Sequence, residues 1–218
     1  MVLATRNAHK VAELSRILAA GAIGATAIDL ASLADFPGAP EPAETGATFA
    51  ENALIKARAV ADFTRLPAVA DDSGLHVDAL NGMPGVLSAR WAGRHGDDVA
   101  NLELVLAQLE DVPATRRGAQ FSCAAALVVP GPAGAERPTI ERVVEGEVLG
   151  RLTIQPRGSN GFGYDPIFVP AAERRTMAEM APAEKDAISH RGRAFRALAS
   201  LIAELRRAGN LTGDETSG

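Results

Sequence analysis

The apolar positions of this 218-residue chain change period several times, and each change marks a predicted element. Met1–Thr5 is a short apolar run that reads as a strand. His9–Ala20 then carries Val11, Leu14 and Leu18 at helical spacing, which places them on one face of an amphipathic helix. Ala25–Leu30 reads as a second strand, and Leu33–Gly46 as a loop rich in Pro, Gly and acidic residues. Thr48-Phe49-Ala50-Glu51 has the form of a capping box, so a helix is predicted from there to about Phe63.

Pro67–Ala70 reads as a short buried strand ending in Asp71-Asp72-Ser73-Gly74, after which Leu75–Val77 resumes an extended pattern. Asp97–Leu109 is a predicted helix. Arg117–Val129 and Thr139–Gly150 form a strand pair around a variable surface connection, Pro130–Pro138. Residues 156–166 are a glycine-rich loop before a short strand, Ile167–Val169. The last helix follows Ser189, with Phe195, Leu198, Leu201, Ile202 and Leu205 as its apolar stripe. The pattern predicts an α/β fold, a mixed sheet covered by helices, in one domain over residues 1–209 with a frayed tail at 210–218.

Composition narrows the function classes. With 47% hydrophobic and 22% charged residues and a net charge of −5, the chain resembles a soluble enzyme. A nucleic-acid partner held mainly by phosphate contacts is disfavoured. No signal-peptide succession opens the chain and no apolar stretch has the length of a membrane span, so a cytoplasmic protein without a membrane partner is expected. The single cysteine, Cys123, sits in the apolar run Phe121–Val129 and is expected to be a buried reduced thiol. Of the 22 basic residues only three are lysine, namely Lys10, Lys56 and Lys185, which asks why a compact ammonium stands at each.

Four stretches carry candidate chemistry. In "VLATRNAHKVAEL" Asn7 is a good N-cap, which places Lys10 at the third helical position, where a capping box wants Glu or Gln. A cation at a helix N-terminus opposes the dipole by roughly 0.3–1 kcal/mol. The same end, with Thr5, Arg6 and Lys10 beside it, attracts a phosphate; the plain alternative is a helix cap with solvated cations. "ADDSGL", residues 70–75, is by itself a turn. In a cleft, one of Asp71 and Asp72 would face the site while the other anchors the loop, and a carboxylate there could hold Mg²⁺ with Glu44 or Glu41.

"NGFGYDPIF" places Phe162 between two glycines, free to stack on a planar base or to pack with Tyr164 in a hairpin core. In "EKDAISHRGRAF" Ser189 caps the final helix, and His190 and Arg191 fall in its first turn, a second electropositive helix start or a solvated pair.

These segments, in this order, resemble the inosine triphosphate pyrophosphatase family, the Ham1-like pyrophosphatases of non-standard purine nucleotides. The resemblance rests on T-x-N-x-x-K at 5–10, E-T-G-x-T-F-x-E-N-A at 44–53, A-D-D-S-G-L at 70–75, G-F-G-Y-D-P-I-F at 161–168 and E-K-x-A-x-S-H-R at 184–191. It implies an elongated α/β domain with two lobes around a nucleotide-binding cleft, a homodimer, a Mg²⁺ requirement, and cleavage of ITP, dITP or XTP to monophosphate and pyrophosphate. On the matching positions, Thr5, Asn7 and Lys10 would hold the triphosphate, and the intervening Arg6, Ala8 and His9 belong to the same substrate-binding stretch, with the role of Arg6 left open. Asp72 would be the catalytic carboxylate and, with Glu44, a metal ligand, with Ser73 beside the substrate. Phe162, Gly163, Tyr164, Asp165, Lys185, His190 and Arg191 would contact base and nucleotide. Many family members have Gly where Arg6 stands, and Glu41 competes with Glu44 in the acidic loop. The alternatives are a non-catalytic nucleotide sensor and an aspartyl-phosphate phosphomonoesterase, whose D-x-D spacing Asp71-Asp72 does not offer.

Overall fold

Among the described residues, six strands make one mixed sheet. They are β1 (Val2–Leu3), β2 (Ala31–Ser32), β3 (Ala68–Val77), β4 (Gly118–Val129), β5 (Ile140–Leu152) and β6 (Phe168–Pro170), in the spatial order β2-β1-β3-β4-β5-β6. β1 runs parallel to β2 and β3, and the remaining neighbours are antiparallel. Helices α1 (Ala8–Gly21), α2 (Phe49–Thr64), α3 (Asp98–Gln108), α4 (Pro182–Ile188) and α5 (His190–Arg207) flank it. The computed structural model describes residues 1–21, 30–132, 138–209 and 211. The α/β class with a mixed sheet is thus as the pattern predicts. Most of the predicted strand Ala25–Leu30, part of the 130–138 connection and nearly all of the tail lie outside the described residues.

The sheet is covered unequally. Helix α2 packs Phe49, Ala53, Ala57, Val60 and Ala61 on Ala68, Ala70, Ala124 and Ala126, where small residues let the helix approach closely. On the opposite face, Leu14, Ile17 and Leu18 of α1 and Phe195, Leu198 and Ile202 of α5 enclose Leu3, Val69, Ala125 and Leu127. The pleat explains the division: along β3, even positions turn to α2 and odd positions to α1 and α5. A third cluster fills the far end, where Leu75, Val77 and Phe121 meet Leu102, Val105 and Leu109 of the α3 region, together with Tyr164 and Phe168.

Three local readings are corrected. Asp71-Asp72-Ser73-Gly74 is not a turn; it lies inside β3, paired one for one with Ala125, Ala124, Cys123 and Ser122. Turn propensity loses because both neighbouring carboxylates find cations, one on each face, and because Gly74 lets other chain segments approach. A Cβ there would strike Ser88 Oγ, Gly85 O and, at 2.9 Å, Phe49. The cap of α2 is formed by Thr48 Oγ1, which accepts from Glu51 N at 3.2 Å, but Glu51 reaches back to Ala47 N at 2.6 Å rather than to Thr48. Helix α4, short and opened by Pro182, was not predicted. Cys123 is buried, and burial raises its thiol pKa, consistent with an inert side chain. Among the described residues no helix is long and apolar enough to cross a membrane.

Candidate functional site

The first turn of α1 has the expected cap. Asn7 Oδ1 accepts from Lys10 N at 3.2 Å, and Thr5 Oγ1 accepts from Asn7 N at 3.2 Å. The Lys10 ammonium does not drift into solvent. It reaches β3 and lies 3.1 and 2.9 Å from Asp71 Oδ1 and Oδ2. Arg6 takes another direction, pairing with Glu41 at 2.8 Å and donating to Ala39 O at 3.0 Å, so it ties the acidic loop to the start of α1. Ala8 and His9 open α1, and their side chains lie outside the described set.

Adjacent positions on β3 serve opposite faces. Asp71 turns towards α1 and α5, where Arg191 Nε stands 3.4 Å from Oδ2 and Arg191 Nη2 donates to Ser73 Oγ at 2.8 Å. Burial works against the charge of Asp71, but Lys10, Arg191 and Lys56 outweigh it and hold the carboxyl well below the usual range. Asp72 turns towards α2. It accepts from Lys56 Nζ at 2.8 Å and from Asn52 Nδ2 at 3.1 Å, residues one helical turn apart. Lys56 also donates to Glu44 Oε1 at 3.1 Å, and Arg90 donates to Glu44 Oε2 at 2.9 Å and to its carbonyl at 3.2 Å. Burial raises the pKa of Asp72, opposed by Lys56 and reinforced by Glu44. For Glu44, burial is outweighed by Lys56 and Arg90, and its pKa is lowered.

The third wall comes from the start of α5. Ser189 Oγ accepts from Gly192 N at 2.9 Å, as a cap should. His190 and Arg191 are buried, not solvated. His190 stacks on Phe121 with ring centroids 4.6 Å apart, and burial, with Arg191 and Lys185 nearby, pushes its pKa well down. A neutral imidazole removes one of the two conflicts with the helix dipole. Arg191 meets the other with acidic partners, Asp71 and Glu13, the latter 3.3 Å from Nη1. Glu13 also pairs with Lys185 at 3.3 Å, and Lys185 pairs with Asp165 at 2.7 Å.

Phe162 is half-buried, its ring centroid 4.8 Å from Arg191 Cζ and 5.1 Å from Lys185 Nζ. Tyr164 follows the hairpin-core alternative: its ring is in the core and its hydroxyl donates to Ser88 O at 2.8 Å.

These walls enclose a cleft of about 590 Å³. Every sequence-predicted site residue with a described side chain borders it except Lys185, which is buried behind Phe162. Glu41 is on the rim with Arg6, and Glu44 is inside with Lys56. A model of the Ham1 family matches residues 1–201.

The chain belongs to the Ham1 family. A dITP/XTP pyrophosphatase of Streptomyces coelicolor is 56% identical over 205 residues, 94% of this Ham1 chain and 98% of that protein. A protein of the same name from Mycobacteroides abscessus is 56% identical over 211 residues, 97% of each chain. Among solved structures, a nucleoside-triphosphatase / dITP/XTP pyrophosphatase from Mycobacterium abscessus is 57% identical with a TM-score of 0.69, covering 92% of this chain and 97% of that one. A HAM1 protein from Coxiella burnetii is 42% identical with a TM-score of 0.80, covering 93% and 98%.

Four residues have no role in the sequence reading: Lys56 and Arg90, which line the Ham1 cleft, and Glu13 and Asn52, which are buried behind it against Arg191 and Asp72. The rarity of lysine did single out Lys56, and its spacing from Asn52 on the helix opened by Thr48 places both on one face. Glu13 looks like one more polar position of an amphipathic helix, and Arg90 like one of many arginines. Their partners are 178 and 46 residues away, beyond the reach of any local pattern.

Proposed function

We propose that this Ham1 chain hydrolyses nucleoside triphosphates bearing 6-oxo purines, namely ITP, dITP and XTP, to the nucleoside monophosphate and pyrophosphate. The names of its relatives support the substrate class. The observation that carries the reading in the structure is the cleft itself, where a cationic helix start, a pair of carboxylates and an aromatic ring flanked by cations face one space.

Each wall has a distinct task. Lys10, at the N-terminus of α1, attracts the phosphates, with Thr5 and Asn7 beside it. Asp72, buried and with a raised pKa, orients the attacking water and accepts its proton. The charge of Asp71 keeps Lys10 and Arg191 together on one side of the sheet. The base lies against Phe162. Its O6 is an acceptor, whereas adenine presents an amino group there, so buried donors at this position would be left unpaired by ATP. Three of Arg191's nitrogens already donate to protein groups, leaving His190 and the remaining Arg191 N–H groups for this task.

Asp72 and Glu44 also suit Mg²⁺. Their oxygens converge on one point, the Lys56 ammonium, and two carboxylates completed by water and substrate phosphates are how Mg²⁺ is usually held. Among the described residues no larger group of metal-binding side chains gathers. Bound there, the ion would neutralise charge on the departing pyrophosphate. A single domain over residues 1–209, a homodimer and a cytoplasmic location belong to the same proposal, and sedimentation tests the dimer.

A panel of ITP, dITP, XTP, ATP and GTP with products identified tests the activity. Pyrophosphate from the first three, and far less from ATP and GTP, is expected. Orthophosphate alone, or no hydrolysis of any of the three, would overturn the proposal, and tight retention of nucleotide without turnover would identify a sensor instead.

A further inference from the structure

Asp98 occupies the first position of α3, a helix whose cap is already supplied by its neighbour. Asp97 Oδ1 accepts from Ala100 N at 3.2 Å, so the Asp98 carboxylate is not needed to close the helix end. Its Oδ2 instead accepts from the N–H of Gly163, 65 residues away, at 2.9 Å. Gly163 holds φ at +61°, with no atom within 4 Å of where a Cβ would stand. The backbone conformation, not crowding, therefore calls for glycine there. The amide of Phe162 donates in turn to Asp165 Oδ2 at 2.9 Å, and Asp165 is fixed by Lys185. Two consecutive amides at the tip of this loop are thus held by two carboxylates from different parts of the chain.

We propose that Asp98 is a positioning residue for purine recognition. By holding the Gly163 amide it fixes the loop that presents Phe162 to the base, its own carboxylate standing on the cleft wall beside that loop. This inference rests on the proposed function, which places the base against Phe162. Asp165 secures the loop from the α4 side through Lys185, and Tyr164 secures it through Ser88 O. Asp98 is the constraint on Gly163 itself, which with Gly158 and Gly161 is one of the three glycines of this loop whose backbone lies in the left-handed region. With that constraint lost, the Phe162 ring samples other positions, and the cost falls on binding and on base discrimination rather than on the hydrolytic step.

The test uses the full chain with Asp98→Ala and Asp98→Asn, steady-state kinetics on ITP and ATP, and the ¹⁵N–¹H signal of Gly163. A hydrogen bond to a charged acceptor of this kind corresponds to about tenfold or more. Asp98→Ala is expected to raise KM for ITP by about that factor, to lower the ITP-over-ATP preference, to leave kcat nearly unchanged, and to move the Gly163 amide proton upfield. Asp98→Asn keeps an acceptor oxygen and is expected to restore most of both properties. If Asp98→Ala folds poorly, Asp98→Ser serves, since serine suits a helix start but is too short to reach Gly163.

Unchanged KM in the truncated variant, an Asn variant as impaired as Ala, or a loss confined to kcat would each overturn the inference. Wild-type protein inert towards ITP would instead sink the proposed function, while the Gly163 signal is read without substrate.

Discussion

Lys10 and Asp71 meet as a two-oxygen ion pair, the ammonium of one helix start against a carboxylate in the middle of a strand, 61 residues apart. The same carboxylate accepts Arg191, from the start of the last helix. Two helix N-termini, each burdened with cations that local helix chemistry disfavours, are therefore joined through one strand residue. The misfit visible at Lys10 in the sequence is resolved by tertiary contacts on the wall of the cleft.

Asp72→Asn should nearly abolish turnover, by about 10²–10⁴-fold, as loss of a general base commonly does. The fold should survive, because burial already disfavours the charged form of this carboxyl. Pyrophosphate release and thermal unfolding measured together check this. Full activity in the variant would remove Asp72 from the mechanism.

Chelation with EDTA should stop pyrophosphate release, and added Mg²⁺ should restore it, with circular dichroism unchanged throughout. Asp72 and Glu44 are already paired to Lys56, so the folded chain has no need of the ion to neutralise them. Undiminished activity after exhaustive chelation would rule out the metal role of this pair.

Glu13→Gln should lower stability at pH 7 by roughly 3–5 kcal/mol, since it leaves Arg191 and Lys185 short of a buried anion. For Glu13, burial opposes the charge, yet Arg191 and Lys185 prevail and its pKa is lowered. A depressed carboxyl contributes stability that is fully present above its unfolded value, about 4.3, and is lost as the pH falls below it. The gap in unfolding free energy between wild type and variant should therefore be widest near neutrality and narrow below pH ~4. A gap that widens in acid would contradict the assignment.

Gly74→Ala should destabilise the protein by about 1–3 kcal/mol, the usual penalty of overpacking. The added methyl has nowhere to go among Ser88, Gly85 and Phe49. Ser88 Oγ also accepts from Leu75 N at 2.9 Å and donates to Gly85 O at 2.6 Å, so yielding to the methyl breaks further bonds. Denaturant unfolding measures the loss; an unchanged midpoint would mean that the 85–90 segment moves aside at no cost.

Much of this was legible in one dimension because the signals were local. The periodicity of α1, α2, α3 and α5, the caps at Asn7, Thr48 and Ser189, and the apolar runs of β4 and β5 all depend on neighbours within a turn or two. The strand through Asp71–Gly74 was not legible. Its local chemistry favours a turn, and the pairing with β4 and the cations of three helices that reverse the outcome are distant in sequence. For the same reason the motif residues could be named while Glu13 and Arg90, which hold them in place, could not. Arg6, grouped by sequence with Lys10, is separated from it in space by its pairing with Glu41.

The lysines have a practical consequence. All three in the chain are in ion pairs at or behind the cleft, with side chains 18%, 15% and 7% exposed for Lys10, Lys56 and Lys185. The rest of the positive surface is arginine, which acylating and reductively alkylating reagents leave alone. Amine-directed chemistry on the native protein therefore finds the N-terminal amine and otherwise only the two ammonium groups that line the cleft, Lys10 and Lys56, with Lys185 buried behind it. Lysine modification, counted by mass with and without nucleotide, becomes a footprint of site occupancy that needs no engineered label.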